Sequence, residues 1–347
     1  MGDNADITEV RDAHKFNEDN LTSYMEENVE GYKGPLTVQQ FEGGQSNPTF
    51  LLKTPERDYV MRKKPPGVLL PSAHAVEREY RIMSALQDTD VPVARTYCLC
   101  EDSDVIGTPF YIMEKVEGRI FRQPELPGMD PKERAAIYDA MNDTLAKMHN
   151  VDIKAQGLED FGKQGNYFER QIGRWTKQYR ASETHHVDSM EELISWLPAN
   201  MPDDQTSTIC HGDYRLENMI IHPTEPRVVA VLDWELCTLG HPLADLSYNC
   251  MTYHFMHPAS GGLVNTDFDA TGIPSEQAYI EAYCKRTGRD GIENWPFYIA
   301  FSFFRLAAIV QGVYKRGLDG NASSERAKTY GAFAQMLADL GVAAIRK

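Results

Sequence analysis

Along the chain, the alternation of apolar and polar positions changes its period, and the change divides the sequence. An acidic lead-in of about thirty residues reads as helical. Short β-rich runs follow at Val38 to Phe41, Thr49 to Lys53 and Tyr59 to Arg62. The turn-forming cluster Glu42 to Pro48 joins the first two, and Pro65-Pro66-Gly67 ends the third. From Ala73 to Leu86 the apolar positions Val76, Tyr80, Met83 and Leu86 recur at steps of three and four, which predicts an amphipathic helix. Two more strands, Thr96 to Cys100 and Pro109 to Glu114, come before Val116-Glu117-Gly118 breaks the pattern.

Beyond Gly118 the helical period dominates, over Pro131 to Asn150, Asn166 to Ala181 and Met190 to Leu197. A β-rich island, Met219 to His222 and Val228 to Leu232, closes around the turn Pro223 to Pro226. Helices resume from Leu243, through Glu276 to Arg286, Trp295 to Lys315 and Ser324 to Ala344. The expectation is an α+β chain of two lobes, residues 1–115 rich in strands and residues 116–347 mainly helical.

Composition narrows the function classes. An apolar share of 42% over 347 residues supports a packed core and about two domains. With 51 acidic and 35 basic side chains the net charge is −16, which disfavours nucleic acid and membrane surfaces as partners. A local basic pocket can still receive a small anion. The first residues show no basic segment followed by an apolar run, so no secretory signal is expected. Phe297 to Tyr314 is interrupted by Arg305 and Gln311 and reads as a buried helix rather than a membrane span. The six cysteines lack zinc-type spacing and are expected to be reduced thiols in a cytoplasmic protein.

The chemistry concentrates in Ile209-Cys210-His211-Gly212-Asp213-Tyr214-Arg215-Leu216-Glu217-Asn218-Met219. Asp213 and Asn218 are separated by four residues, just before a short strand. Twenty residues after Asp213 a second strand delivers Asp233-Trp234-Glu235. Phosphoryl transfer needs this inventory: one carboxylate to accept a hydroxyl proton, with an amide oxygen and a second carboxylate for Mg²⁺. Each element alone is commonplace in structural roles; it is the combination that points to catalysis.

These motifs, H-G-D-x4-N and D-W-E, resemble those of the phosphotransferase family that includes aminoglycoside phosphotransferases and choline kinase, over roughly Val38 to Met256. Longer strings, Gly43-Gly44-Gln45-Ser46-Asn47-Pro48-Thr49, Tyr59 to Gly67 and Gly240-His241-Pro242-Leu243-Ala244-Asp245-Leu246, are similar to the kinase-like domain fused to some acyl-CoA dehydrogenases. The resemblance implies a protein-kinase-like fold with ATP held between a β-rich and a helical lobe. It makes Asp213 the catalytic base, with Asn218 and Asp233 as magnesium ligands. Gly43, Gly44, Gln45, Ser46 and Asn47 become the loop over the triphosphate. Arg62 stands where a kinase strand usually presents Lys, and its acidic partner is Glu79 or Glu77, with Glu79 the better fit. Glu114 and Val116 flank the hinge whose backbone receives adenine. Asp245 is read as a brace for the catalytic loop, and His211 as a structural histidine. Lys63 and Lys64 are read as solvated charges.

The function expected is ATP- and Mg²⁺-dependent transfer of the γ-phosphate to a small-molecule hydroxyl. The resemblance to the fused domain suggests a hydroxyacyl group, as such or as its CoA thioester, and a functional link to an acyl-CoA dehydrogenase. An aminoglycoside or amino alcohol is the alternative that the acidic surface favours. Arg119, Arg122, Arg174 and Arg180 are candidates for contacting an anionic acceptor. A rival of another class is a nucleotide-binding module without catalysis, which would be expected to have lost the base or a metal ligand.

Overall fold

A computed structural model describes residues 7–42, 47–67, 74–257, 261–320 and 330–346. In chain order the strands are β1 (Ile7–Thr8), β2 (Thr37–Phe41), β3 (Thr49–Lys53), β4 (Tyr59–Lys63), β5 (Thr96–Cys100), β6 (Phe110–Glu114), β7 (Thr208–Cys210), β8 (Met219–Ile221), β9 (Val228–Val231), β10 (Thr238–Gly240), β11 (Met256–His257) and β12 (Gly261–Gly262). The α-helices are α1 (Glu18–Asn28), α2 (Val76–Leu86), α3 (Ser103–Ile106), α4 (Pro131–His149), α5 (Tyr167–Ser182), α6 (Asp188–Ala199), α7 (Pro242–Cys250), α8 (Phe268–Thr271), α9 (Glu276–Thr287), α10 (Trp295–Leu318) and α11 (Gly331–Ile345). They form two compact units, residues 1–121, 154–158 and 216–237 in one, and 122–153, 159–215 and 238–347 in the other.

The first unit is built on an antiparallel sheet in the order β1-β2-β3-β4-β6-β5. Five of its strands lie where the period-2 runs predict them. The sixth, β1, comes from the lead-in read as helical, and two residues are too few for any period to show. In α1, Leu21 and Met25 are spaced one turn apart and fully buried, packing with Val29 against Phe50, Leu52, Met61, Phe110 and Ile112. Burying each such side chain contributes about 1.5–3 kcal/mol. The opposite face carries Arg62 and Tyr111, which are paired across β4 and β6, toward α2. Covered on both faces, β4 is buried along its whole length.

The β8–β9 hairpin belongs to this unit. Arg119 and Ile221 exchange backbone hydrogen bonds of 2.7 and 2.8 Å, and the Val231 N–H donates to Pro92 O at 2.9 Å. The backbone approach requires glycine at position 118, where a Cβ would lie 2.3 Å from Ile220 Cγ2 and 2.4 Å from Ile221 O.

Helices dominate the second unit. Side chains one or two residues ahead of several helices cap them: Asp130 accepts from Lys132 N and Glu133 N, and Ser275 from Ala278 N. Helix α10 is long and apolar enough to cross a bilayer, yet most of its apolar stretch is buried against protein, in packing that involves α5, α6, α7 and α11. It is a core helix, as Arg305 and Gln311 suggest. The start expected for the last helix, near Ser324, lies outside the described residues. All six cysteines are buried free thiols.

Candidate active site

Strand β4 presents Arg62 to α2. Its guanidinium Nη1 lies 3.0 Å from Glu79 Oε2 and 3.2 Å from Asp233 Oδ1, while Nη2 lies 3.9 Å from Glu235. Glu79, 1% exposed, also accepts from the Tyr111 hydroxyl at 3.0 Å and from Asn47 Nδ2 at 2.7 Å. Burial opposes the charge on Arg62, but Tyr111, Glu79, Asp233 and Glu235 hold its pKa above the ordinary value. Glu77 pairs instead with Lys64, at 2.9 Å. The structure thus joins Arg62 to Glu79.

The hairpin fixes Asn218 and Asp233 as near neighbours. The Leu232 N–H donates to Asn218 O at 2.8 Å, which sets Asn218 opposite the residue before Asp233. Asp233 is left-handed, with φ 64° and ψ 59°, and the Trp234 indole N–H closes the turn on Val231 O at 3.0 Å. Their side-chain oxygens suit a hard cation such as Mg²⁺. Among the described residues, Arg62 Nε is buried without a hydrogen-bond partner, a donor left over for a phosphate oxygen. The residues fit a metal-bound nucleotide.

In the second unit, Asp213 lies on a loop held from beneath. Asp245 takes the N–H of His211 at 2.6 Å and of Gly212 at 2.8 Å, and His149 Nε2 lies 3.5 Å away. Burial pushes the Asp245 carboxyl up, but His149, His211 and the Gly212 N–H keep it below its ordinary value. Gly212 has φ 84°, a conformation that favours glycine immediately before Asp213. The Asp213 N–H donates to His211 Nδ1 at 3.2 Å, so His211 is fully buried and bonded to the loop backbone. Arg215 Nε stands 3.3 Å from Asp213 Oδ2.

The other expected positions fall as follows. Gly43, Gly44, Gln45 and Ser46 lie outside the described residues. Asn47 is fully buried, its side chain committed to Glu79 and, at 3.1 Å, to His74. Glu114 ends β6 with its N–H on Arg95 O at 2.7 Å, and Val116 follows, half-buried. Lys63 and Lys64 are not solvated charges. Lys63 is 3% exposed with its ammonium over the Phe16 and Phe50 rings, because alternation along β4 turns it toward the α1 face. Arg119 is committed to His222 O and Glu225 O, and Arg180 to Glu183 and Glu191. Glu183, His186 and Glu191 cluster at metal-ligand distances, but both glutamates are already paired with Arg180. His254 pairs with Glu276 at 2.7 Å.

Sequence reasoning missed Tyr111 and Arg215. Tyr111 was accessible through strand register, since it lies directly opposite Arg62.

Comparison with known proteins places these motifs. The profile of the Phosphotransferase enzyme family matches residues 37–284. Mouse acyl-CoA dehydrogenase family member 10 is 52% identical over 309 residues, 88% of this chain and 29% of that protein. The chain spans between 29% and 45% of the length of the curated relatives it matches. A crystal structure from Ralstonia eutropha, provisionally described as an aminoglycoside phosphotransferase, is 52% identical with a TM-score of 0.89, covering 96% of this chain and 99% of that one. An aminoglycoside phosphotransferase crystallised with AMP-PNP and hygromycin B, at 15% identity and a TM-score of 0.61 over 93% of this chain and 97% of that one, shares the protein-kinase-like fold. By these matches the chain belongs to the phosphotransferase enzyme family.

Proposed function

We propose that this protein is an ATP- and Mg²⁺-dependent kinase for a hydroxyl group of a small molecule, most specifically a hydroxyacyl group carried as its CoA thioester. The observation that carries the reading is the cluster in the first unit, where an anchored guanidinium with an unused buried N–H stands beside Asp233. Mg-ATP, when bound, supplies the γ-phosphoryl group. Arg62 holds phosphate oxygens, with Glu79 fixing its reach. Asn218 and Asp233 offer oxygen donors to the metal. Asp213 takes the proton of the acceptor hydroxyl, which general-base catalysis makes worth about 10²- to 10⁴-fold. A non-catalytic scaffold has no use for the base and both metal ligands together, and all three stand in the chain. For the acceptor, support comes from relatives named as acyl-CoA dehydrogenase family members.

Purified protein with Mg-ATP is to be assayed against hydroxyacyl-CoAs, aminoglycosides and amino alcohols. The hydroxyacyl-CoAs should be phosphorylated, and Asp213→Ala should lower turnover by about 10²- to 10⁴-fold while nucleotide binding persists. Full turnover by that variant would remove Asp213 from the role. Phosphorylation confined to aminoglycosides would overturn the acyl reading.

A further inference from the structure

Arg305 is an anomaly in α10. It is 7% exposed in a helix whose other buried members are apolar or neutral, and among the described residues no carboxylate pairs with it. A buried cation without a counter-charge is costly. Its Nη2 donates to Gly212 O at 2.5 Å, the residue immediately before Asp213. The guanidinium carbon lies 5.3 Å from the centroid of the Tyr248 ring and 5.9 Å from that of Trp175. Burial first, and then the charge of nearby Asp213, push the Tyr248 hydroxyl above its ordinary pKa. The same loop therefore receives Asp245 on its N–H groups and Arg305 on its carbonyl.

We infer that Arg305 is a positioning residue for Asp213: it clamps the carbonyl of Gly212, the residue before Asp213, and lies over the Tyr248 ring. The inference rests on the reading of Asp213 as proton acceptor and extends it. In its loop motif the chain has glycine before the aspartate, where H-R-D kinases carry their arginine. Here α10 supplies a guanidinium from 93 positions away. Positional errors near 1 Å can lower a rate by about 10²-fold, which sets the scale expected.

The test uses the full chain with Mg-ATP and whichever member of the acceptor panel gives the highest rate. Arg305→Met should lower kcat by about 10²-fold with KM for ATP within about twofold of wild type. Arg305→Lys, which keeps a donor for Gly212 O, should recover about tenfold of that loss. In an Asp213→Asn background, Arg305→Met should cost nothing further, because the two act as one unit. Wild-type kcat in folded Arg305→Met, or an equal loss in both backgrounds, would overturn the inference while leaving Asp213 in its role. Should Arg305→Met not fold, Arg305→Lys decides: a kcat about tenfold below wild type supports the inference, and a rate within about twofold of wild type overturns it. Full turnover by Asp213→Asn would instead defeat the underlying reading of the site.

Discussion

Glu79→Ala isolates the element on which the proposed nucleotide site depends. In the folded protein this carboxylate accepts from Arg62, Tyr111 and Asn47 at 3.0, 3.0 and 2.7 Å. Removing it strands the Tyr111 hydroxyl and the Asn47 amide, each costing about 1–3 kcal/mol when buried and unsatisfied. It also breaks a buried ion pair, for which losses run about 3–5 kcal/mol. These contributions share one cavity and do not add. Arg62 moreover keeps Asp233 at 3.2 Å, so a loss of about 4 kcal/mol is expected. The control is Glu77→Ala, whose pair with Lys64 is partly exposed and should cost under about 1 kcal/mol. Urea unfolding followed by circular dichroism, fitted with two transitions because the chain forms two units, measures both. A second readout follows from the geometry. Freed from Glu79, the guanidinium settles on Asp233, so Mg²⁺ must compete harder and the Mg²⁺ concentration for half-maximal turnover should rise. If Glu79→Ala falls within about 1 kcal/mol of wild type, or Glu77→Ala costs as much, the assignment of the pair fails.

Two further outcomes are expected. Asp245→Asn should lower kcat by about 10²-fold with the protein folded, because an amide can replace one acceptor beneath His211 and Gly212 but not both; unchanged kcat would show that the loop does not depend on that brace. The His241 side chain caps α7, its Nδ1 accepting from Leu243 N at 3.2 Å, and Nε2 lies 3.1 Å from Asp204. Burial lowers its pKa from 6.5 to about 4. The unfolded chain therefore takes up a proton that the folded one refuses, so stability should fall as pH drops from 6.5 toward about 4, by about 3 kcal/mol. Asp204 titrates lower, below 3.8, and leaves that window clear. Unfolding midpoints for wild type and His241→Asn across pH 4 to 7 should converge at the acid end; parallel curves would refute the protonation account.

The elements legible in the sequence are those whose signal is local. Period-2 runs gave β2 to β6 and the β8–β9 hairpin, and i, i+3, i+4 spacing gave α2, α4, α5, α9 and α10. Strand β1 and the pairs β7 with β10 and β11 with β12 were not legible, because these short segments lack the turn-flanked apolar runs that mark the β8–β9 hairpin and are strands only through their partners. Lys63 shows the same limit: charge in a sequence suggests solvent, but its place on β4 puts it beneath Phe16 and Phe50.

Among the site residues, the sequence by itself determined the chemical inventory, since the H-G-D-x4-N and D-W-E strings hold the acid, amide and carboxylate within one short stretch of chain. It also narrowed the partner of Arg62 to two glutamates two residues apart. Only the tertiary structure decided between them, because Glu79 and Glu77 point to different sides of α2, with side chains 1% and 38% exposed. Likewise only folding could turn Arg305, an interruption in an apolar run, into a ligand of the Gly212 carbonyl. A motif records what a residue can do; what it does depends on neighbours that the chain brings in from tens or hundreds of positions away.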